Sequence, residues 1–96
     1  PIPELPPLAR DVALLVDEQR DAGPIAEALE EAAGELAESV ELFDVYRGEG
    51  IAPGKKSLAF SVVYRAADRT LTDEEVDRVH RAAVRRVAEA VGAETR

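Results

Sequence analysis

Three stretches of this chain alternate apolar and polar positions with period two, and two others repeat apolar residues every three or four positions. Successive side chains of a β-strand point to opposite faces, so parity sorts each alternating stretch into two surfaces. Arg10 to Asp17 is the first strand, with Val12, Leu14 and Val16 on one face and Asp11, Ala13, Leu15 and Asp17 on the other. Val40 to Tyr46 and Leu58 to Tyr64 form a hairpin around the glycine-rich loop from Gly48 to Gly54. Phe43, Val45, Leu58, Phe60, Val62 and Tyr64 share the apolar face by parity, and Asp44, Tyr46, Ser57, Ala59 and Ser61 share the other. The second face is made of small residues carrying one carboxylate and one tyrosine ring.

The helical stretches are bounded by recognisable signals. Gly23-Pro24 opens the first, proline being tolerated at the first helical position, and Gly34 ends it. Ile25, Leu29, Ala32 and Leu36 form its apolar stripe, with Glu27, Glu30, Glu31 and Glu35 filling much of the remainder. Thr72 and Glu75 have capping-box spacing at the start of the second. That helix runs to about Val91, burying Val76, Val79, Ala83, Val87 and Val91, and Gly92 stops it. Ala93 to Arg96 is a short last strand, and residues 1–9 are an extended proline-rich lead-in to a domain spanning 10–96. The element order β-α-β-β-α-β predicts an α+β, ferredoxin-like sandwich: a four-stranded antiparallel sheet with two helices on one face.

Composition narrows the function. A chain of 96 residues is one domain with a modest core. Cysteine is absent, as are a signal peptide and any apolar run long enough to span a bilayer, so a cytoplasmic protein with no membrane contact is expected. A first residue other than methionine, and no methionine elsewhere, reads as a domain taken from a longer protein. The formal charge of −8 argues against a polyanionic partner, but it is unevenly spread. Residues 1–46 carry 12 acidic and 2 basic side chains, whereas residues 47–96 carry 8 acidic and 10 basic.

Missing residue types remove several activities that this fold hosts. A paired-cysteine metal site has no ligands here, and a phosphoryl-cradling site built on asparagine has no asparagine. RNA recognition by aromatics on the third strand fails on phase, because Phe60 and Tyr64 share parity with Leu58 and Val62. His80, alone beside an apolar stripe, reads as a packed boundary residue rather than a base. No catalytic or metal-binding constellation emerges. Tyr46 is placed either to stack a base on the open face or to shield a sheet edge. Asp44 is a pure acceptor suited to the donor edge of a guanine. Arg47, Lys55 and Lys56 are candidate phosphate contacts by charge and proximity, with solubility as their ordinary explanation.

Three blocks carry a resemblance: Leu42-Phe43-Asp44-Val45-Tyr46-Arg47-Gly48, Gly54-Lys55-Lys56-Ser57-Leu58-Ala59-Phe60, and Arg69 through Val76. Together with Arg10-Asp11-Val12-Ala13 and Gly92-Ala93-Glu94 they resemble the ferredoxin-fold anticodon-binding domain at the C-terminus of bacterial phenylalanine–tRNA ligase β subunits. The resemblance covers almost the whole chain. It implies a non-catalytic module that grips the anticodon stem-loop of tRNA(Phe), with Ala13, Asp44, Tyr46 and Ser57 at the positions contacting the first anticodon base, a guanine. It also implies a parent ligase that uses ATP and Mg2+ elsewhere and assembles with an α subunit as an α2β2 heterotetramer; no cofactor is expected in this domain. The departures are Thr95, where an apolar residue suits the last strand better, and the strong acidity. A protein-interaction module docking by its sheet edge or acidic helix, without RNA contact, is the alternative.

Overall fold

A computed structural model of the chain describes residues 6–96. The elements follow in the order β1 (Leu8–Asp17), α1 (Ala22–Ala33), a short 3-10 turn (Gly34–Leu36), β2 (Ala37–Tyr46), β3 (Lys55–Tyr64), α2 (Asp73–Val91) and β4 (Glu94–Thr95). The four strands form one antiparallel sheet in the order β2-β3-β1-β4, as expected of a ferredoxin-like α+β domain. The expectation for residues 1–5 lies outside the described residues; Pro6 and Pro7 are exposed and precede β1, which starts two residues earlier than its apolar alternation indicates.

Both helices cover the face carrying Val12, Leu14, Val16, Leu58, Phe60 and Val62, the parity set read from the sequence. Val12 faces Phe60 and Leu14 faces Leu58 across the β1–β3 pair, so the two central strands contribute adjoining rows to one core. Ile25 and Leu29 of α1, and Val76, Ala83, Val84 and Val87 of α2, close it. Val79 and Val91 are only half-buried, and Val84 takes the place in the core assigned to them.

The helix ends differ in detail from the sequence expectation. α1 begins at Ala22, so Pro24 is its third residue; its missing N–H still falls among the four that have no intrahelical acceptor. Gly34 ends the helix at φ 78°, a left-handed value disfavoured for side-chain-bearing residues, and its N–H bonds to the Glu30 carbonyl. At α2 the capping box is half formed. The Thr72 hydroxyl accepts from the Glu75 N–H at 3.2 Å, while the Glu75 carboxylate turns away to a bidentate pair with Arg69. That pairing holds the Glu75 carboxyl below its ordinary range.

Strand β2 departs most from simple alternation. Its pairing with β3 shifts between Ala37 and Ser39 and again between Leu42 and Asp44. Leu42 stands opposite Phe60, Asp44 opposite Ala59, and Phe43 is left without a partner. Phe43, expected on the apolar face, is therefore not a core residue: it is 56% exposed, with Leu42 and Val45 partly exposed beside it. A bulge inserts an extra residue and resets the phase of the strand. Val40 and Leu42 face the core side before it, Val45 after it, and Asp44 and Tyr46 keep the face that parity gave them.

His80 links α2 to the sheet. The Tyr64 hydroxyl lies 2.8 Å from its Nδ1, and its Nε2 lies 3.2 Å from the Asp11 carbonyl. Since only a ring N–H can serve the carbonyl, the neutral tautomer protonated at Nε2 satisfies both contacts, with the tyrosine donating. Burial pushes the histidine pKa down from its ordinary 6.5. The unfolded chain then takes up a proton at a pH where the folded chain does not. Stability is accordingly full above about 6.5 and falls as the pH drops below it. The carboxyls lowered by ion pairs, Asp17, Glu18, Glu75 and Asp77, act only at lower pH. Urea unfolding between pH 7.5 and 5.5 should show a falling midpoint that His80→Gln flattens; equal slopes for both proteins would contradict this role.

Candidate nucleic-acid interface

The face of the sheet away from the helices is built from two adjoining rows of cross-strand neighbours. One row runs Asp44, Ala59, Ala13, and the next runs Tyr46, Ser57, Leu15, Glu94. Ala13, Asp44, Tyr46 and Ser57 thus come from three different strands and converge on one patch. Ala13 and Ala59 are half-buried and Ser57 is buried, while the two larger groups stand on the edge strand β2. Asp44 is exposed, and Tyr46 is 37% exposed.

Two contacts fix the Tyr46 ring. Its hydroxyl donates to the Glu49 carbonyl at 2.8 Å, tethering the ring to the loop that follows β2. The Arg96 guanidinium lies over the ring, 5.4 Å from its centroid. The backbone N–H of Arg96 bonds to the Ala13 carbonyl, continuing the pairing of β4 with β1. β4 and β2 are opposite edges of the sheet, about 14 Å apart at normal strand spacing. Ring and guanidinium therefore meet above the β1 and β3 residues between them. Ser57 is only 3% exposed, so the patch is less open at its centre than alternation alone implies. A cation over an exposed ring contributes about 0.5–1 kcal/mol, small enough for a flat ligand to displace or insert beneath it.

The three candidate phosphate contacts are placed differently. Arg47 is paired with Glu18 and Lys55 with Asp17, the closest N–O distance being 2.6 Å in each case. These pairs hold both carboxyls below their ordinary range. Lys56 stands opposite Val16, on the parity of the helix-covered face. Sequence reasoning did not single out Arg96; its parity with Glu94 along the last strand is the signal that places it on the open face.

Among the described residues no group of three or more His, Asp or Glu side chains could hold a metal ion, and no helix is long and apolar enough to cross a membrane.

The chain is 53% identical over 96 residues to a protein from Symbiobacterium thermophilum named phenylalanine–tRNA ligase beta subunit, covering 100% of this chain and 11% of that protein. Proteins of the same name from Corynebacterium efficiens and Geobacillus kaustophilus are 55% identical over 91 residues and 50% identical over 93. Those matches cover 95% and 97% of this chain, and 11% and 12% of the respective relatives. The chain thus spans about a ninth of the length of such relatives. The family model described as the ferredoxin-fold anticodon binding domain matches residues 3–96. With the sheet order, the helix-covered core and a match over nearly every residue in agreement, the chain belongs to the ferredoxin-fold anticodon binding domain family.

Proposed function

We propose that this chain is the tRNA-binding module of a longer phenylalanine–tRNA ligase β subunit, and that it positions the anticodon stem-loop while aminoacylation takes place elsewhere in the parent. The observation that carries the reading is the convergence of Ala13, Asp44, Tyr46 and Ser57 from three strands onto one patch of the sheet face away from the helices, with Ser57 buried at its centre. A splayed base stacks on the Tyr46 ring, Asp44 accepts from the donors on its Watson–Crick edge, Ser57 adds a hydroxyl, and Ala13 allows close approach. Guanine fits because its edge offers adjacent N–H donors to a carboxylate, a charge-assisted arrangement stronger than neutral pairs. The domain contributes binding and orientation; ATP and Mg2+ belong to the parent's catalytic part, with an α subunit as partner.

The direct test is an NMR titration of the labelled chain with an anticodon stem-loop bearing guanine or another base at the first anticodon position. Shifts should cluster at Ala13, Asp44, Tyr46 and Ser57 and weaken with the base change; no shifts at millimolar RNA would overturn the reading. Asp44→Ala should cut discrimination between the two stem-loops by about 1.5–3 kcal/mol while leaving binding of the altered one nearly unchanged. Equal loss for both RNAs would remove Asp44 from base reading.

One observation favours an additional protein contact. Leu42, Phe43 and Val45 are exposed together on the edge strand β2, next to the acidic surface of α1. Such an exposed apolar cluster suits a neighbouring protein surface. It lies along the edge, so both contacts are compatible.

A further inference from the structure

The charges of this domain are segregated across the sheet. Residues 21–46, comprising α1 and the edge strand β2, carry eight carboxylates and no cation. On the opposite side, residues 78–88 of α2 contain Arg78, Arg81, Arg85 and Arg86 and no acid. Arg78, Arg81 and Arg85, at helical spacing i, i+3 and i+7, line one groove between α2 and the β1–β4 edge. All three are exposed, and none makes an ion pair or side-chain hydrogen bond among the described residues. The carboxylates that also line the groove, Asp11, Glu89 and Glu94, come from β1, the end of α2 and β4.

Resting on the RNA-binding reading above, we infer that this arginine ridge is a second RNA surface, taking the sugar–phosphate backbone of the strand whose base lies on Tyr46. Three features favour RNA over a peptide. First, the β1 edge is poorly suited to pairing with an added strand: its Asp11 carbonyl is occupied by His80 and its Ala9 carbonyl by the Arg10 side chain at 2.9 Å. Second, β4 is shared by both surfaces: Glu94 and Thr95 border the groove, and Arg96 reaches from the same strand onto the Tyr46 ring. A backbone leaving the ring on that side crosses β4 directly to the ridge, whereas the β2 side confronts it with the acidic wall. Third, Arg78 to Arg85 extends about 10 Å along the helix axis, long enough for three guanidinium groups to meet successive phosphates of one strand.

The test compares the wild-type chain with Arg78→Gln/Arg81→Gln/Arg85→Gln, measuring anisotropy of a fluorescent anticodon stem-loop from 50 to 200 mM salt. Each phosphate contact contributes a slope of about −0.7 in log affinity against log salt. The triple variant should therefore lose about 2 units of slope and about 20-fold of the wild-type salt sensitivity over that range. Its preference for guanine over another first base should be retained. Arg86→Gln, a charge on the same helix outside the groove, gauges the general field. A triple effect no larger than three times that control overturns a located contact. An unchanged slope overturns the inference while leaving anticodon reading intact. If that outcome is joined by loss of poly-glutamate binding in the triple variant, the ridge serves an acidic protein instead. No RNA binding by the wild-type chain would remove the proposed function, and this surface with it. Circular-dichroism melts of both variants should match wild type, since the substituted side chains are exposed and unpaired.

Discussion

Phe60→Ala is expected to destabilise the domain by about 3–5 kcal/mol, the range for emptying the space of a buried phenylalanine. Phe60 is 0% exposed and sits between Val12 of β1 and Leu42 of β2, at the centre of the sheet's helix-covered face. The whole stability of such a domain is only about 5–15 kcal/mol, so the variant should unfold at markedly lower urea concentration. Phe60 lies on β3, the third strand, where a different class of RNA-binding sheet displays a stacking aromatic. The two roles separate cleanly by experiment. A Phe60→Ala chain that melts like wild type but loses RNA would place the ring on the binding face and overturn the assignment of the two sheet faces made here.

Tyr46→Ala should give the opposite pattern. Loss of a base–aromatic stack costs about 1–3 kcal/mol, a drop of about 5- to 150-fold in affinity for the stem-loop. The fold should change little, because the ring is partly exposed and its contacts are one hydrogen bond to a loop carbonyl and one guanidinium. Tyr46→Phe tests the geometry further: it keeps the π face and removes only the tether to Glu49, so most of the affinity should survive. A Tyr46→Ala chain binding RNA as well as wild type would leave the ring as a shield of the sheet edge.

These predictions, with the arginine ridge, give the domain a polarity. The acidic surface of α1 disfavours a polyanion on that side, and the basic side of α2 favours one. Net charge is a poor guide to such a protein. A sum of −8 conceals a helix segment of four arginines without a carboxylate among them.

Much of the architecture was readable from one dimension. Period-two alternation in β1 and β3 assigned Val12, Leu14, Val16, Leu58, Phe60, Val62 and Tyr64 to the core, because a strand buried on one face must alternate. Gly34 and Gly92 ended the helices where left-handed backbone was required, at φ 78° and 69°. Ala13, Asp44, Tyr46 and Ser57 were assigned to one face by parity together with the family resemblance. The tertiary structure decided what parity cannot carry. The bulge at Phe43 depends on how β2 accommodates β3, an edge-strand property with no local signature, and it turned an expected core ring outward. The engagement of Arg47 and Lys55 by Glu18 and Asp17 required the ends of β1, β2 and β3 to be brought together across gaps of 29 and 38 residues. The Arg96–Tyr46 contact and the groove beside Arg78, Arg81 and Arg85 arose only when β4 was laid against β1. Local sequence dictates which way a side chain points, whereas its partners are chosen by chain segments far away in sequence.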